Sequence, residues 1–153
     1  MSGRAVFAAV VLFGVATAAA CAPSNPTSPS GPTAGVRFSL VDLKIGDGDT
    51  VAAGDRIEVW YTGWIYVQSS PDNNKGELID SNRDRGLFRY IVGTGHVIEG
   101  WDQGVPGMKV GGIRRLIIPP ELAYGSDGQA RIPPGATLIF EIEVATVEHP
   151  PFG

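Results

Sequence analysis

Apolar and polar side chains alternate along several stretches of the chain, with the period of two that marks half-buried β-strands. Ile57, Val59 and Tyr61 share one face of such a stretch, and Arg56, Glu58 and Trp60 share the other. Phe88, Tyr90 and Val92 repeat the pattern, as do Leu138, Phe140, Ile142 and Val144 against Glu141 and Glu143. Residues 36–40 and 113–118 supply two further strands, and Gly and Asp clusters such as Gly46-Asp47-Gly48-Asp49 punctuate the series. A polar, turn-rich stretch at 66–76 reads as an exposed loop between the strand ending near Ile65 and Leu78-Ile79-Asp80. Only residues 98–105 carry a helical pattern, and Pro106-Gly107 ends it. One short helix must therefore cover a face of about five antiparallel strands. The sheet is expected to curl around it as a half-barrel, an α+β fold.

The first 35 residues follow none of these periods. Arg4 precedes an apolar stretch from Ala5 to Ala20 that closes on Ala18-Ala19-Ala20-Cys21. A basic start, a short apolar middle and small residues at the end describe an export leader. As a helix the stretch would reach about 24 Å, short of the roughly 30 Å hydrocarbon core of a bilayer. A buried N-terminal helix is the plainer alternative. Cys21 is the only cysteine, so no internal disulfide can form. Its place after the small residues resembles a bacterial lipoprotein attachment site, although Ala18 stands where such sites usually carry Leu. Acylation would anchor the chain to a membrane, whereas plain secretion after Ala20 would not. Residues 21–35, rich in Pro, Ser and Thr, cannot bury enough surface to fold and read as a tether. The sequence thus divides into a leader (1–20), a tether (21–35) and one domain (36–153), cell-envelope or periplasmic if the leader acts.

The formal charge is −4, with both signs interleaved, which argues against a nucleic-acid partner. Gly93-Thr94-Gly95 opens like a dinucleotide loop but has Ile98 where the third glycine belongs. Asp47-Gly48-Asp49 opens like a calcium loop but places Val51 at the next ligand position. Two histidines and one cysteine make no zinc set, so neither metal nor cofactor is expected. What remains is His96-Val97-Ile98-Glu99-Gly100-Trp101, then Ala123-Tyr124-Gly125, then a run from Ile132-Pro133-Pro134 to Phe140. Aromatic rings with a few fixed hydrogen-bonding groups suit an uncharged apolar group, best of all a proline ring with its preceding amide.

These runs carry a family likeness. Val59-Trp60-Tyr61-Thr62-Gly63, Ile79-Asp80, Val97-Ile98-Glu99-Gly100-Trp101, Gly104-Val105-Pro106-Gly107-Met108, Ala123-Tyr124-Gly125 and the run from Ile132 to Phe140 resemble, in order, the signatures of FKBP-type peptidyl-prolyl cis-trans isomerases. The resemblance implies a pocket with Trp101 as floor and Tyr61, Phe88, Val97, Ile98, Ala123, Tyr124, Ile132 and Phe140 around it. It implies Asp80 and Arg85 as a charged pair beside that pocket, with Asp80, Tyr124, Trp101 and Tyr61 as the catalytic set. Ile79 stands where the family usually has Phe, Arg131 where an apolar residue is common, and His96 where an acidic residue is frequent. Expected partners are proline-containing polypeptides, with macrolides such as rapamycin as inhibitors, and a monomer is expected. The alternative function is a binding module that holds proline peptides in the same pocket without turnover.

Rotation of an amide costs about 18–20 kcal/mol because resonance is lost at the twisted geometry. No bond is made or broken, so a catalyst needs only to bind the twisted form better than either planar one. The Tyr124 hydroxyl and the backbone N–H of Ile98 are the candidate donors to the turning carbonyl.

Overall fold

The structure is a computed structural model that describes residues 35–151. The expected leader, Cys21 and all of the tether but Gly35 lie outside the described residues.

Six strands form one antiparallel sheet: β1 (Ser39–Lys44), β2 (Arg56–Tyr66), β3 (Lys75–Ser81), β4 (Phe88–Ile91), β5 (Ile113–Ile118) and β6 (Leu138–Glu148). The order is β1-β5-β6-β2-β3, and β4 also pairs with β2. Strand β2 is long enough to hold β4 along Arg56–Val59 and β3 along Thr62–Tyr66, while β6 runs down its other side. The one α-helix among the described residues, α1 (Glu99–Gly104), packs on the concave face, so the expected curled sheet around one helix is what forms. Its flanking residues, Ile98 and Val105, serve as caps rather than as helical turns, which trims the expected 98–105 by one residue at each end.

Alternation explains the three central strands, β2, β5 and β6. Ile57 and Val59 of β2, Leu116 and Ile118 of β5, and Leu138, Ile142 and Val144 of β6 are fully buried and face α1. The outward positions carry Trp60 and Trp64, shielded by Arg83 and Lys75 over their rings.

Two elements differ from the expectation. The first strand begins at Ser39 and runs to Lys44, rather than occupying 36–40. It is an edge strand with every residue exposed, so burial leaves no alternating signature in it. Its register is set by a charge instead, Asp42 accepting two hydrogen bonds from Arg114 of β5 at 2.6 and 3.1 Å. The expected loop at 66–76 is also shorter. Tyr66 pairs with Lys75 and Val67 donates to Asn74, so the hairpin closes further out and residues 75 and 76 belong to β3.

Arg114 is only 7% exposed and does a second job. Its Nη1 donates to the carbonyls of Gly104 and Pro106, at 2.8 and 3.1 Å, where α1 ends without a basic residue of its own. A cation from the sheet thus satisfies the last helical carbonyl, Gly104, and the Pro106 carbonyl just beyond it. Glycines set the depth of the helix. A Cβ on Gly100 would lie 2.4 Å from Ile118 Cγ2, and one on Gly104 would lie 2.6 Å from Leu116 Cδ2. Without side chains there, α1 sits flush on β5.

This contact gives a test in which two effects oppose each other in sign. Helix propensity alone would make Gly100→Ala stabilising by about 1 kcal/mol. Overpacking against a buried isoleucine should instead cost about 1–3 kcal/mol, so the urea midpoint of Gly100→Ala is expected to fall below that of the unaltered protein. A raised midpoint would show that the helix is not held at this depth by steric contact.

Candidate active site

A cleft of about 220 Å³ opens between the sheet and the loops that flank α1. Trp101, on α1, forms its floor and is only 4% exposed. Four rings hold it from the side. Tyr61 and Phe140 meet it edge-on, with centroids 5.2 and 5.3 Å away, and Phe88 and Tyr90 stand at 6.2 and 5.8 Å. Gly63 leaves room for this arrangement, since a Cβ there would lie 2.4 Å from the Phe140 ring.

Of the residues expected at the site, Tyr61, Ile79, Asp80, Phe88, Val97, Ile98, Trp101, Tyr124, Ile132 and Phe140 all line the cleft. Ala123 and Arg85 do not line it. Ala123 packs against the core beneath Tyr124, and Arg85 lies outside, bonded to Asp80. Two residues that sequence reasoning left without a role belong to the site: His96 lines the cleft, and Tyr90 backs the indole.

Asp80, at the inward end of β3, organises the polar side. The Tyr61 hydroxyl donates to its Oδ2 at 2.6 Å, Arg85 Nη2 donates to its Oδ1, and the Ser81 N–H adds a third bond at 2.9 Å. Burial tends to raise the Asp80 carboxyl, but these bonds and the nearby guanidinium outweigh it and hold the group below the usual carboxylate range. Burial, with the carboxylate beside it, pushes the Tyr61 phenol up to about 12. Tyr124 is raised too, by burial and by the charge on Asp80. The Asp80–Arg85 pair is exposed, so its value lies in orientation more than in stability.

Asn82 fastens this group to the sheet, and nothing in its sequence context announced it. It is 4% exposed, accepts the Tyr61 N–H at 2.7 Å and donates to the carbonyls of Val59 and Gly86, both at 2.9 Å. It therefore pins the 82–86 turn that carries Arg85 against β2.

The opposite walls are loops with fixed backbones. Asp102 of α1 accepts the N–H groups of Gly93 and Gly95, each at 2.8 Å, which holds the approach to Val97 and Ile98. Tyr124 follows a 3-10 turn at Pro120–Leu122, and Gly125 N–H closes back onto the Pro120 carbonyl at 2.8 Å. Gln129 and Ile132 exchange two backbone bonds, 3.0 and 2.7 Å, so Ala130 and Arg131 form a tight hairpin tip with Ala130 at φ +48°. The Tyr124 hydroxyl and the Ile98 N–H donate to none of the described residues and are the donors left for a guest. A neutral, apolar guest with one carbonyl to satisfy fits this inventory.

Comparison with known proteins follows the same line. Residues 48–145 match the family model described as FKBP-type peptidyl-prolyl cis-trans isomerase. The chain is 42% identical over 108 residues to FK506-binding protein 1B of Aspergillus fumigatus, covering 69% of this chain and 90% of that protein. It is 43% identical over 113 residues to an FK506-binding protein of Streptomyces anulatus, covering 72% and 86%. The crystal structure of AtFKBP13 superposes with a TM-score of 0.61 at 35% identity, over 72% of this chain and 93% of that one. Against several longer relatives the chain spans about a quarter of their length or less.

The raised Tyr61 phenol makes a stability prediction with a definite sign. A group whose folded pKa exceeds its unfolded value favours folding below the unfolded value and loses that contribution as pH rises through the folded one. Stability should therefore fall between pH 10 and about 12. In Tyr61→Phe the fall should be shallower but still present, because Tyr90 and Tyr124 are raised as well. Urea midpoints across that range check it, and an equal slope in both proteins would show that neither burial nor Asp80 raises the Tyr61 phenol.

Proposed function

The chain belongs to the FKBP-type peptidyl-prolyl cis-trans isomerase family, and from that premise we propose that it turns X–Pro bonds in exported polypeptides and so assists their folding. The observation that carries the site reading is the cleft itself: an apolar, aromatic-floored space with two uncommitted donors at its walls and a carboxylate already satisfied by its neighbours.

The proline ring sits over Trp101, between Tyr61, Phe88 and Phe140. The planar amide is more dipolar than the twisted one, so moving it from water into this cleft disfavours the planar forms relative to the transition state. The carbonyl, freed from conjugation as it turns, takes a hydrogen bond from the Tyr124 hydroxyl or the Ile98 N–H. Each ~1.4 kcal/mol that favours the twisted geometry speeds rotation about tenfold, so a few such contacts suffice. Asp80 acts as an orienting group. It is held in its charged form, keeps the Tyr61 ring upright against the indole, and moves no proton.

Ile79 gives the cleft an aliphatic wall and favours substrates that do not need an aromatic partner there. The family name of the relatives extends to ligands: a macrolide such as rapamycin is proposed to fill the same cleft and to inhibit. Export rests on the leader-like residues 1–20, and membrane attachment rests on Cys21. The domain would then work in the cell envelope as a monomer, tethered by residues 21–35.

Isomerisation of a short proline peptide, followed by NMR exchange without a coupling protease, is expected to accelerate on adding the protein. Tyr124→Phe should lower kcat/KM about tenfold, the size expected for one lost hydrogen bond to the reacting group. Binding of the peptide with no acceleration would turn the assignment into a non-catalytic proline-binding module. Mass spectrometry of the chain recovered from an expressing bacterium is expected to find an acylated Cys21 at the N-terminus, and an unmodified Cys21 there would leave simple secretion.

A further inference from the structure

Four titratable side chains line the cleft, Tyr61, Asp80, His96 and Tyr124, and the mechanism above uses three of them. His96 has a defined proton arrangement. Its Nδ1 lies 2.9 Å from Thr94 Oγ1, and that same Oγ1 lies 2.8 Å from the Ile91 carbonyl oxygen. A carbonyl has no proton to give, so the one hydroxyl proton of Thr94 must point at Ile91. Thr94 then offers His96 only a lone pair, and the contact between them requires the imidazole proton on Nδ1. In the neutral ring, Nε2 is left as a bare acceptor with no hydrogen bond to any described residue.

We propose that His96 is a specificity-determining residue of this cleft, its Nε2 accepting a hydrogen bond from the substrate chain beside the proline when the ring is neutral and pairing with a substrate carboxylate when the ring is protonated. The inference rests on the proline-site reading above and adds the substrate class: chains with an acidic residue next to the proline are favoured as the pH falls.

Most of the ionisable groups around His96 are already engaged by their neighbours. Both Asp102 oxygens are occupied by the N–H groups of Gly93 and Gly95, and Glu99 accepts from Gln103 on its own helix. Asp80 is engaged by Tyr61, Arg85 and Ser81 and stays charged, while the phenols of Tyr61 and Tyr124 stay neutral. Arg131 is exposed at the hairpin tip next to Ile132. Histidine is the side chain whose ordinary titration falls between about pH 5 and 8. The second histidine, His149, is bonded to Asp55 at 2.9 Å and is not part of the cleft.

The test compares two peptides on the full chain, Ala-Glu-Pro-Phe and Ala-Leu-Pro-Phe, by NMR exchange at about pH 7.5 and about pH 5.5, where the peptide glutamate remains largely ionised. The Glu-to-Leu ratio of kcat/KM is expected to rise roughly threefold at the lower pH, the size of an exposed charge pair. The rise should vanish in His96→Gln and persist in His149→Gln. A flat ratio in the unaltered protein, or an equal rise in His96→Gln, overturns the proposal. If neither peptide is turned over, the isomerase reading fails by itself, and the same ratio taken from calorimetric Kd values decides the role of His96 with the same outcomes. Nitrogen-15 shifts of the imidazole provide a direct check. They should place the neutral proton on Nδ1, and Thr94→Val should shift it toward Nε2. A neutral proton found on Nε2 in the unaltered protein overturns the proposal as well.

Discussion

The packing of four aromatic rings around the Trp101 indole, three edge-on and Tyr90 tilted, is the contact on which the rest of the molecule depends. The rings come from β2, β4 and β6, and the indole comes from the only α-helix among the described residues. Such pairs are each worth about 0.5–1.5 kcal/mol beyond the area they bury, and their geometry is directional. The directionality matters more here than the energy. The indole still lines the cleft among these rings, so the core ends in an aromatic floor instead of closing over. The bare glycine positions on α1 bring the helix close enough for this to happen.

The polar side of the cleft is arranged so that little of it is free. Asp80 receives three hydrogen bonds, Asn82 makes three of its own, and Asp102 accepts one loop N–H on each oxygen. A buried or half-buried polar group left unpaired would attract water or a polar guest. Here the carboxylates that flank an apolar space are silenced by their neighbours, and the cleft presents donors at two points and one acceptor at its mouth. This lining suits an unionised, carbonyl-bearing guest better than a charged one.

The parts of this arrangement that could be read from sequence are those that follow from burial on one face. Strands β2 and β6 show alternation because their inner residues meet α1 and their outer residues meet solvent. Strand β1 shows none, because an edge strand exposed on both sides imposes no pattern on Leu40, Val41 or Leu43. Asp42 and Arg114 are 72 positions apart, and no local rule joins them. Asn82 is equally silent, because a short polar residue in a turn looks the same whether it faces water or replaces a stretch of ladder. The cleft lining was legible through its motifs, since residues that converge on one space recur as short runs in order. His96 could be seen as a residue but not as an actor, because its proton arrangement depends on a threonine hydroxyl and a carbonyl whose directions only coordinates supply.

The loops around the cleft are fixed by backbone bonds to a degree that suits a reaction without covalent chemistry. The Tyr124 loop is tied at Gly125 to Pro120 and at Gly135 back to Gly125, and the tip at Ala130 is closed by the paired bonds of Gln129 and Ile132. A cleft that reshaped itself around each planar isomer would stabilise both ground states and leave the barrier as high as before. A rigid one can be complementary to the twisted geometry alone, and every donor it holds in place is one that need not reorganise while the amide turns. Walls tied in this way suit the rotation proposed for the cleft, in which no wall residue need exchange a proton or form a bond.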